Sequence, residues 1–460
     1  MAEVISYQTR EEFIQDINKH KDEEVYIGNI NDVKTPFEEE IVVVHGKNTV
    51  PFFIENKGSS DVTIFIRNIS DDNELPKIEK ADTVDGPWSV IDENGFKEGF
   101  TIKPNEKVYI IGSNIEGFSK SNYNFNYFSC EDSGASLNLG GNLETLFTKS
   151  VCASEVPDYC FYGLFMGLSG STLTLDETFK LSSKKVGNYS YAKLFNGCKN
   201  LVSIPGDLLD NEKSDIKRYA YCEMFMGCSI LTVDGVFKLP AESVPEGAYQ
   251  SMFKGTAVTD IAEMGCQEVG PYSLSFMYAE CTGITGVTQV LPATTLGKGC
   301  YDSFFYNCSN LTTVPEDFLP AETLAPYCYY SLFSDTSVAN VKLKATTLED
   351  YCYKNLFQRN MGNWTEKLVL PAAIMKKGCY EGILFGTKKT KDDTDIKMDV
   401  EIWATDKIDM NCAQYFSMFT NQGTLHLRSD YAYDIETIKD KYSLLGLENW
   451  KVEKDLKDDE

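Results

Sequence analysis

The sequence is poor in the residues and runs that several classes of protein require. Only three of its 460 residues are histidine, and no C-x-x-C pair occurs, so zinc clusters are not expected. No apolar run approaches the ~18 residues of a candidate membrane-spanning helix, which argues against membrane insertion. Basic residues number 43 against 69 acidic ones, giving a net charge of −26. A chain this acidic repels nucleic acid and anionic lipid.

Motifs for catalysis or for binding a cofactor are lacking as well. None of the three histidines, His20, His45 and His426, neighbours a serine or cysteine nucleophile motif. The GLSGS stretch (167–171) lacks the final glycine of a nucleophile elbow. A calcium-binding loop and a phosphate-binding loop are also missing. The sequence therefore predicts a protein that is not an enzyme, with no catalytic residue, no cofactor and no metal.

The two terminal segments show no recognisable signal for secretion or lipidation. The first residues, MAEVISYQTREEFIQDINKHKDEEV, lack the basic segment and the apolar segment of a secretory signal. The last residues, KVEKDLKDDE, contain no lipidation box. We therefore expect a protein that stays in the cytosol of the cell that makes it, or leaves it by lysis.

What the sequence does have is one phrase, repeated about ten times with a step of about 28 residues. The phrase is Tyr-small-Tyr-x-x-apolar-Phe, as in YCYYSLF (327–333). Two divergent copies place Tyr278 and Leu384 in the phenylalanine slot. A step that tolerates small insertions is typical of a solenoid. The structural repeat anchors are Phe165, Phe195, Phe225, Phe253, Phe305, Phe333, Phe357 and Phe419.

Each repeat unit is short. Tyr329, Leu332 and Phe333 stand at i, i+3 and i+4, which predicts one apolar face of a helix about two turns long. Pro326 suits the first turn of that helix. The β-branched residues and prolines of NLTTVPEDFLPAETL (310–324) indicate a short strand and a turn. The predicted fold class is α+β, with about ten coils that share one core.

Fourteen cysteines raise the question of metal binding or disulfides. One repeat slot holds cysteine in some copies, but Ser190 or Ala220 in others. A second slot alternates cysteine with Leu168 or Thr256. A metal ligand or a disulfide partner is not replaced by alanine or leucine, whereas a small packing group is. We expect structural free thiols, with bridges between stacked coils as the alternative. These cysteines are Cys160, Cys300, Cys328, Cys352 and Cys379 in the first slot and Cys198, Cys228, Cys281 and Cys308 in the second.

The tyrosines have two interpretations. On a solenoid surface they would offer an apolar ring and a polar tip to a sugar or a protein. In the interior they would pack the core instead.

Two segments carry a family resemblance: LPATTLGKGCYDSFFYNCSNLTTVP (291–315) and LPAETLAPYCYYSLF (319–333). They resemble the BspA-like leucine-rich repeats of Bacteroides-type surface proteins and of phages that infect such hosts. The resemblance covers residues 151 to about 430 and implies a leucine-rich-repeat-like solenoid. The final residues resemble the strand and helix that close such arrays, with Trp450 over the end of the core.

Four domains follow. Residues 1–75 are predicted to be a β-rich attachment module, and residues 76–150 a small β module that leads into the array. Residues 151–430 are the predicted solenoid, and residues 431–460 a C-terminal cap with an acidic tail.

The resemblance implies a virion structural protein of a phage: a head fibre, a decoration or a tail-fibre component. Its N-terminal module would bind other virion proteins, and its solenoid would meet a host-surface protein or glycan. The alternative is a bacterial cell-surface adhesin of the same repeat family. Because fibres and decorations are usually symmetric, we expect a homo-oligomer.

Overall fold

The computed structural model describes residues 50–70, 75–132, 134–148, 155–181, 183, 185–209, 215–239, 241–387, 396–418, 422–434 and 443–457. Over these residues the chain is a β-solenoid of about nine turns, preceded by a β-rich region. The predicted solenoid is thereby confirmed. Most of the predicted attachment module, and the repeat anchor Phe419, lie outside the described residues.

Two sheets build the β-rich region. One has the strand order β4-β3-β6-β1-β8-β9 and the other β5-β2-β7. In β2 the alternate residues Val62, Ile64 and Ile66 are buried, as expected for a strand with one face on a core. The strands are β1 (Phe53–Asn56), β2 (Val62–Asn68), β3 (Ile78–Ala81), β4 (Ser89–Val90), β5 (Phe100–Ile102), β6 (Lys107–Gly112), β7 (Asn126–Cys130) and β8 (Ser136–Gly140).

These sheets cross the boundary predicted at residue 75. Strand β1 pairs with β6 and β8, and β2 pairs with β5 and β7, all antiparallel. The described part of the first predicted module thus shares both sheets with the second module.

The sheet continues directly into the solenoid. Strand β8 pairs in parallel with β9 (Thr172–Leu175), the first strand of the solenoid. The ring of Phe128 lies 5.7 Å from that of Phe52 and 5.9 Å from that of Phe165. One hydrophobic core therefore runs from the β-rich region into the first coil.

The solenoid strands between residues 172 and 370 are only two to four residues long. Strands this short are not stable alone, so they depend on parallel pairing between successive coils. The pairs are β10 with β12, β11 with β13, β14 with β16, and β17 with both β15 and β18. The strands are β10 (Lys185–Val186), β11 (Ser203–Pro205), β12 (Asp215–Ile216), β13 (Thr232–Asp234), β14 (Lys238–Leu239), β15 (Ser243–Val244), β16 (Glu263–Met264), β17 (Glu268–Val269) and β18 (Thr295–Leu296).

The segments that carry the repeat phrase are runs of consecutive turns, so the short helix predicted in each coil is wrong. Helices among the described residues are α1 (Glu93–Glu98), α2 (Thr145–Thr148) and α3 (Met410–Ala413), with a 3-10 turn at Ser443–Leu445. We name the turn segments together the turn ladder. It comprises residues 157–168, 187–198, 217–228, 245–256, 270–281, 297–308, 325–336, 349–360 and 376–387.

Backbone amides in the turn ladder alternate between two kinds of acceptor. The N–H of Tyr330 donates to the carbonyl of Tyr327 within its own coil, at 3.2 Å. The N–H of Tyr329 donates to the carbonyl of Cys352 in the next coil, at 3.0 Å. The same alternation recurs along each ladder segment, and the bonds that join one ladder segment to the next all donate toward the C-terminal neighbour. The ladder therefore joins coils with a fixed polarity.

This bonding places a residue with positive φ at every fourth position. Tyr327, Ser331 and Asp335 have φ values of 59°, 50° and 57°. Each is the third residue of a four-residue turn, where a type II turn requires positive φ. We call these positions the left-handed slots.

A parallel sheet and a turn close the C-terminal end. The sheet has the order β19-β20-β21-β22, with β19 (Leu368–Leu370), β20 (Lys397–Ile402), β21 (Gln422–Arg428) and β22 (Lys451–Leu456). The amides of Tyr415 and Ser417 donate to the carbonyls of Leu444 and Leu445. Trp450 is 2% exposed. The backbone N–H groups of Tyr415 and Ser417, which point toward the C-terminal end, are thus hydrogen-bonded by this turn.

The left-handed slots make a prediction opposite to that of a helix. Within a helix, alanine is more stabilising than glycine by about 1 kcal/mol. At Ser251, φ is 55°. A residue with a Cβ in this left-handed conformation destabilises the folded state by about 1–2 kcal/mol, and glycine does not. We expect Ser251→Gly to have a higher urea midpoint than Ser251→Ala. The same two substitutions at Gln250, which is not in a left-handed slot, should show the opposite order; if alanine were better at both positions, the turn assignment would be refuted.

Candidate binding surface of the turn ladder

The described repeat anchors form one column of rings inside the solenoid. Rings of successive coils lie 4.9 to 6.1 Å apart, with Tyr278 between Phe253 and Phe305. Every anchor in the column is at most 1% exposed, and Leu384 occupies the slot after the last of them. The described anchors are Phe165, Phe195, Phe225, Phe253, Phe305, Phe333 and Phe357. They pack the core and offer no surface for binding.

The second tyrosine of the phrase lies inside as well. Its rings stack from coil to coil at 5.5 to 6.2 Å. Core packing is therefore the role of this tyrosine. For six of these residues the hydroxyl has no hydrogen-bond partner among the described residues: Tyr191, Tyr249, Tyr301, Tyr329, Tyr353 and Tyr380.

All described cysteines are free thiols, and all except Cys130 are buried. Burial raises the pKa of Cys198 to about 12. The thiol of Cys198 donates to the carbonyl of Phe165, the anchor one coil earlier, at 3.2 Å. Thr387 makes the equivalent bond to Phe357 at 3.0 Å. Cysteine and threonine can therefore exchange in this slot because both are small and both can donate to this carbonyl, whereas Leu168 fills the slot by packing alone.

The first tyrosine of the phrase faces outward from a left-handed slot. Tyr159, Tyr189 and Tyr219 are half-buried and stack at 5.0 and 4.8 Å with nearly parallel rings. Where this column holds Gly247, the ring of Tyr219 covers the backbone, because an added Cβ would lie 2.1 Å from it. We call this column, with the half-buried rings beside it, the outer aromatic strip. Its column members are Tyr159, Tyr189, Tyr219, Tyr272, Tyr327 and Tyr351.

Lysines cross the strip, and several of them pair with carboxylates. The ammonium group of Lys298 lies 5.8 Å from the ring centroid of Tyr272 and 5.7 Å from that of Tyr327, within cation–π range. Lys354 lies 2.9 Å from the carboxylate of Glu381. The ladder face is thus locally balanced in charge. Similar pairs join Lys193 with Glu223, Lys254 with Glu280, and Arg359 with Asp335.

Near its C-terminal end the strip opens into a groove of about 470 Å³. Aromatic side chains from three coils line it: Tyr330, Phe385 and Tyr415. Between them lie the amides of Asn355 and Gln358, together with Lys354, Glu381, Gly382 and Met418. The groove therefore combines apolar rings with hydrogen-bonding groups.

A group of possible metal ligands lies on the terminal sheet. Ligand atoms of His426, Glu453 and Asp455 all fall within 4.8 Å of one another. His426 Nδ1 is 2.9 Å from one carboxylate oxygen of Asp455 and 3.6 Å from Glu453. Asp455 is near the histidine because a register shift follows the pairing of Leu427. The carboxylate of Asp455 accepts a hydrogen bond from the imidazole, and this contact ties β22 to β21.

No protein-family model, curated protein or solved structure matches the chain. Among the described residues, no helix has the length and apolar character to cross a bilayer. The function is therefore inferred from the surface of the solenoid itself.

The buried tyrosine hydroxyls lead to a paired prediction. The hydroxyl of Tyr278 accepts a hydrogen bond from the buried N–H of Ala262 at 2.7 Å. Tyr278→Phe should therefore lower the free energy of unfolding by about 1–3 kcal/mol. Tyr329→Phe removes a hydroxyl with no partner among the described residues and should be neutral or stabilising. Urea unfolding measures both; an equal loss for the two variants would mean that an ordered water holds Tyr329.

The buried thiols predict alkaline instability. Below pH 9 a thiol such as Cys198 is protonated in both the folded and the unfolded state. Above pH 9 only the unfolded chain releases the proton, because the folded pKa is raised to about 12. The free energy of unfolding should fall by about 1.4 kcal/mol per pH unit for each such thiol. Cys198→Thr should flatten this slope, whereas Thr256→Ser, in the same slot of another coil, should leave it unchanged; an unaltered slope in Cys198→Thr would contradict the assignment.

Proposed function

We propose that this chain is a non-enzymatic binding protein that presents its turn ladder to a partner. The observation that supports this is the outer aromatic strip, a line of half-exposed rings that crosses successive coils. Tyrosine offers a large amphipathic contact at a low cost in conformational entropy. Because hydrogen bonds fix each coil to the next, the strip is held in place before a partner arrives.

The proposed setting is a phage virion, with the chain as a head fibre, a decoration or a tail-fibre component of the BspA-like leucine-rich-repeat type. The repeated phrase supports the repeat type. The β-rich region would hold the chain to other virion proteins, and its shared sheet with the first coil would carry the solenoid as a firm extension. A bacterial cell-surface adhesin would use the same ladder face and is the alternative.

Purified particles test this proposal. We expect mass spectrometry to find the chain at a fixed ratio to the capsid protein. An antibody against the solenoid should label intact particles in electron micrographs, because the ladder face is exposed there. Absence of the chain from purified particles, with labelling of the bacterial surface instead, would favour the adhesin. Clear turnover in a panel of hydrolase substrates would contradict a purely binding role.

A further inference from the structure

We infer that the groove at the C-terminal end of the outer aromatic strip binds a neutral saccharide. This rests on the proposed function, since it names the ligand class for the face that is proposed to bind. The groove lies between the ladder segment 349–360 and the turn residues 414–418, with the ladder segment 376–387 as its floor.

The sequence of the floor segment creates the groove. Its three left-handed slots hold Gly378, Gly382 and Gly386, whereas every other ladder segment carries a larger residue in at least one slot. A Cβ atom at Gly382 would lie 2.3 Å from the side-chain oxygen of Asn355. The side chain of Asn355 therefore lies against the bare backbone of Gly382, and the floor adds no side chain of its own in this slot between Asn355 and Tyr415.

The walls supply surfaces for the C–H faces of a sugar ring. Tyr330, Phe385 and Tyr415 are each partly exposed. The rings of Phe385 and Tyr415 meet edge to face, with centroids 6.2 Å apart. One ring therefore fixes the other, so that the pair presents a rigid apolar wall to a ligand.

The polar groups match hydroxyl chemistry. Among the described residues the side-chain amides of Asn355 and Gln358 have no hydrogen-bond partner. Each amide has two donors and a carbonyl acceptor, and a sugar hydroxyl both donates and accepts. The ion pair between Lys354 and Glu381 adds charged donors and acceptors on the same wall.

The charge and size of the groove select a small neutral ligand. Its one cation and one carboxylate neutralise each other, and the chain as a whole carries −26, which disfavours an anionic glycan. Its volume of about 470 Å³ lies inside the ~300–1,000 Å³ range of small-molecule sites. A protein partner would instead need roughly 800 Å² from each side, far more than the groove offers.

The test uses the full chain on a panel of immobilised oligosaccharides. The neutral set contains glucose, galactose, mannose and N-acetylhexosamine units, and the anionic set contains sialic and uronic acids. We expect retention on at least one neutral oligosaccharide. Tyr415→Gly and Gln358→Ala should each weaken that binding at least tenfold. Gly382→Asn should abolish it, because it places in the floor the residue that Asn355 supplies in the same slot one coil earlier.

Phe276→Gly is the matched control. Phe276 is a partly exposed ring in the same column as Tyr415, with φ of 55° against 58°, and it lies outside the groove. Glycine relieves the left-handed slot equally in both variants, so a difference in binding reports on the groove rather than on folding. The control should bind as the wild type does.

Four results would overturn the inference. Retention on the anionic set alone would do so, and so would equal weakening by Phe276→Gly and Tyr415→Gly. The third is absence of saccharide binding while the solenoid still binds intact host cells, which would leave the proposed function standing with a protein partner. Loss of both kinds of binding would reject the proposed function together with the groove.

Discussion

The one-directional hydrogen bonding between ladder segments is the constraint from which the rest of the structure follows. Alternate amides of the turn ladder donate to carbonyls of the next coil, and the others close turns within their own coil. Closing these turns forces a left-handed residue at every fourth position, at about 1–2 kcal/mol for each L-residue. That cost is offset coil by coil, because each slot stands beside a cross-coil hydrogen bond and a fully buried pair of side chains.

The ladder also decides which residues are available for binding. Along 352–359 two buried residues alternate with two that are at least partly exposed, and the neighbouring coils keep the buried pairs in the same phase. Side chains at interior positions of successive coils therefore stack into columns of rings and thiols. Side chains at outward positions form the outer aromatic strip. A partner meets a repeated surface, and any local feature arises only where one coil departs from the pattern. The coil with three glycine slots is such a departure.

Much of this organisation was readable from the sequence, and the part that was not has a physical reason. The period of the phrase gave the solenoid, and alternation around Val62, Ile64 and Ile66 is typical of a strand. The spacing of Tyr329, Leu332 and Phe333 led to the wrong prediction of a helix, because i, i+3 and i+4 describe a helix face and a four-residue turn equally well. Glycines recur at every fourth position (378, 382 and 386) inside a predicted helix. This spacing is the sequence signal that could have indicated turns instead of a helix.

The groove could not be predicted because it depends on the stacking register. Tyr330, Gly382 and Tyr415 are distant in sequence and line one groove only when four consecutive coils are stacked. The same holds for His426 and Asp455, which are brought together by an irregular strand pair. Pairing of β1 with β8 is likewise long-range and leaves no local signature. Local patterns therefore indicated the strands and the repeat period, while the contacts between coils determine the site.

The distribution of charge fits a display surface. With −26 overall, copies of the chain repel one another, which opposes non-specific association. On the ladder face, however, carboxylates such as Glu223 and Glu381 are matched by lysines, so the aromatic strip is locally neutral. A neutral face on an acidic molecule is where an uncharged ligand approaches without a penalty. The negative charge on the rest of the molecule thus opposes non-specific association. The balanced charge along the turn ladder leaves that face accessible to a partner.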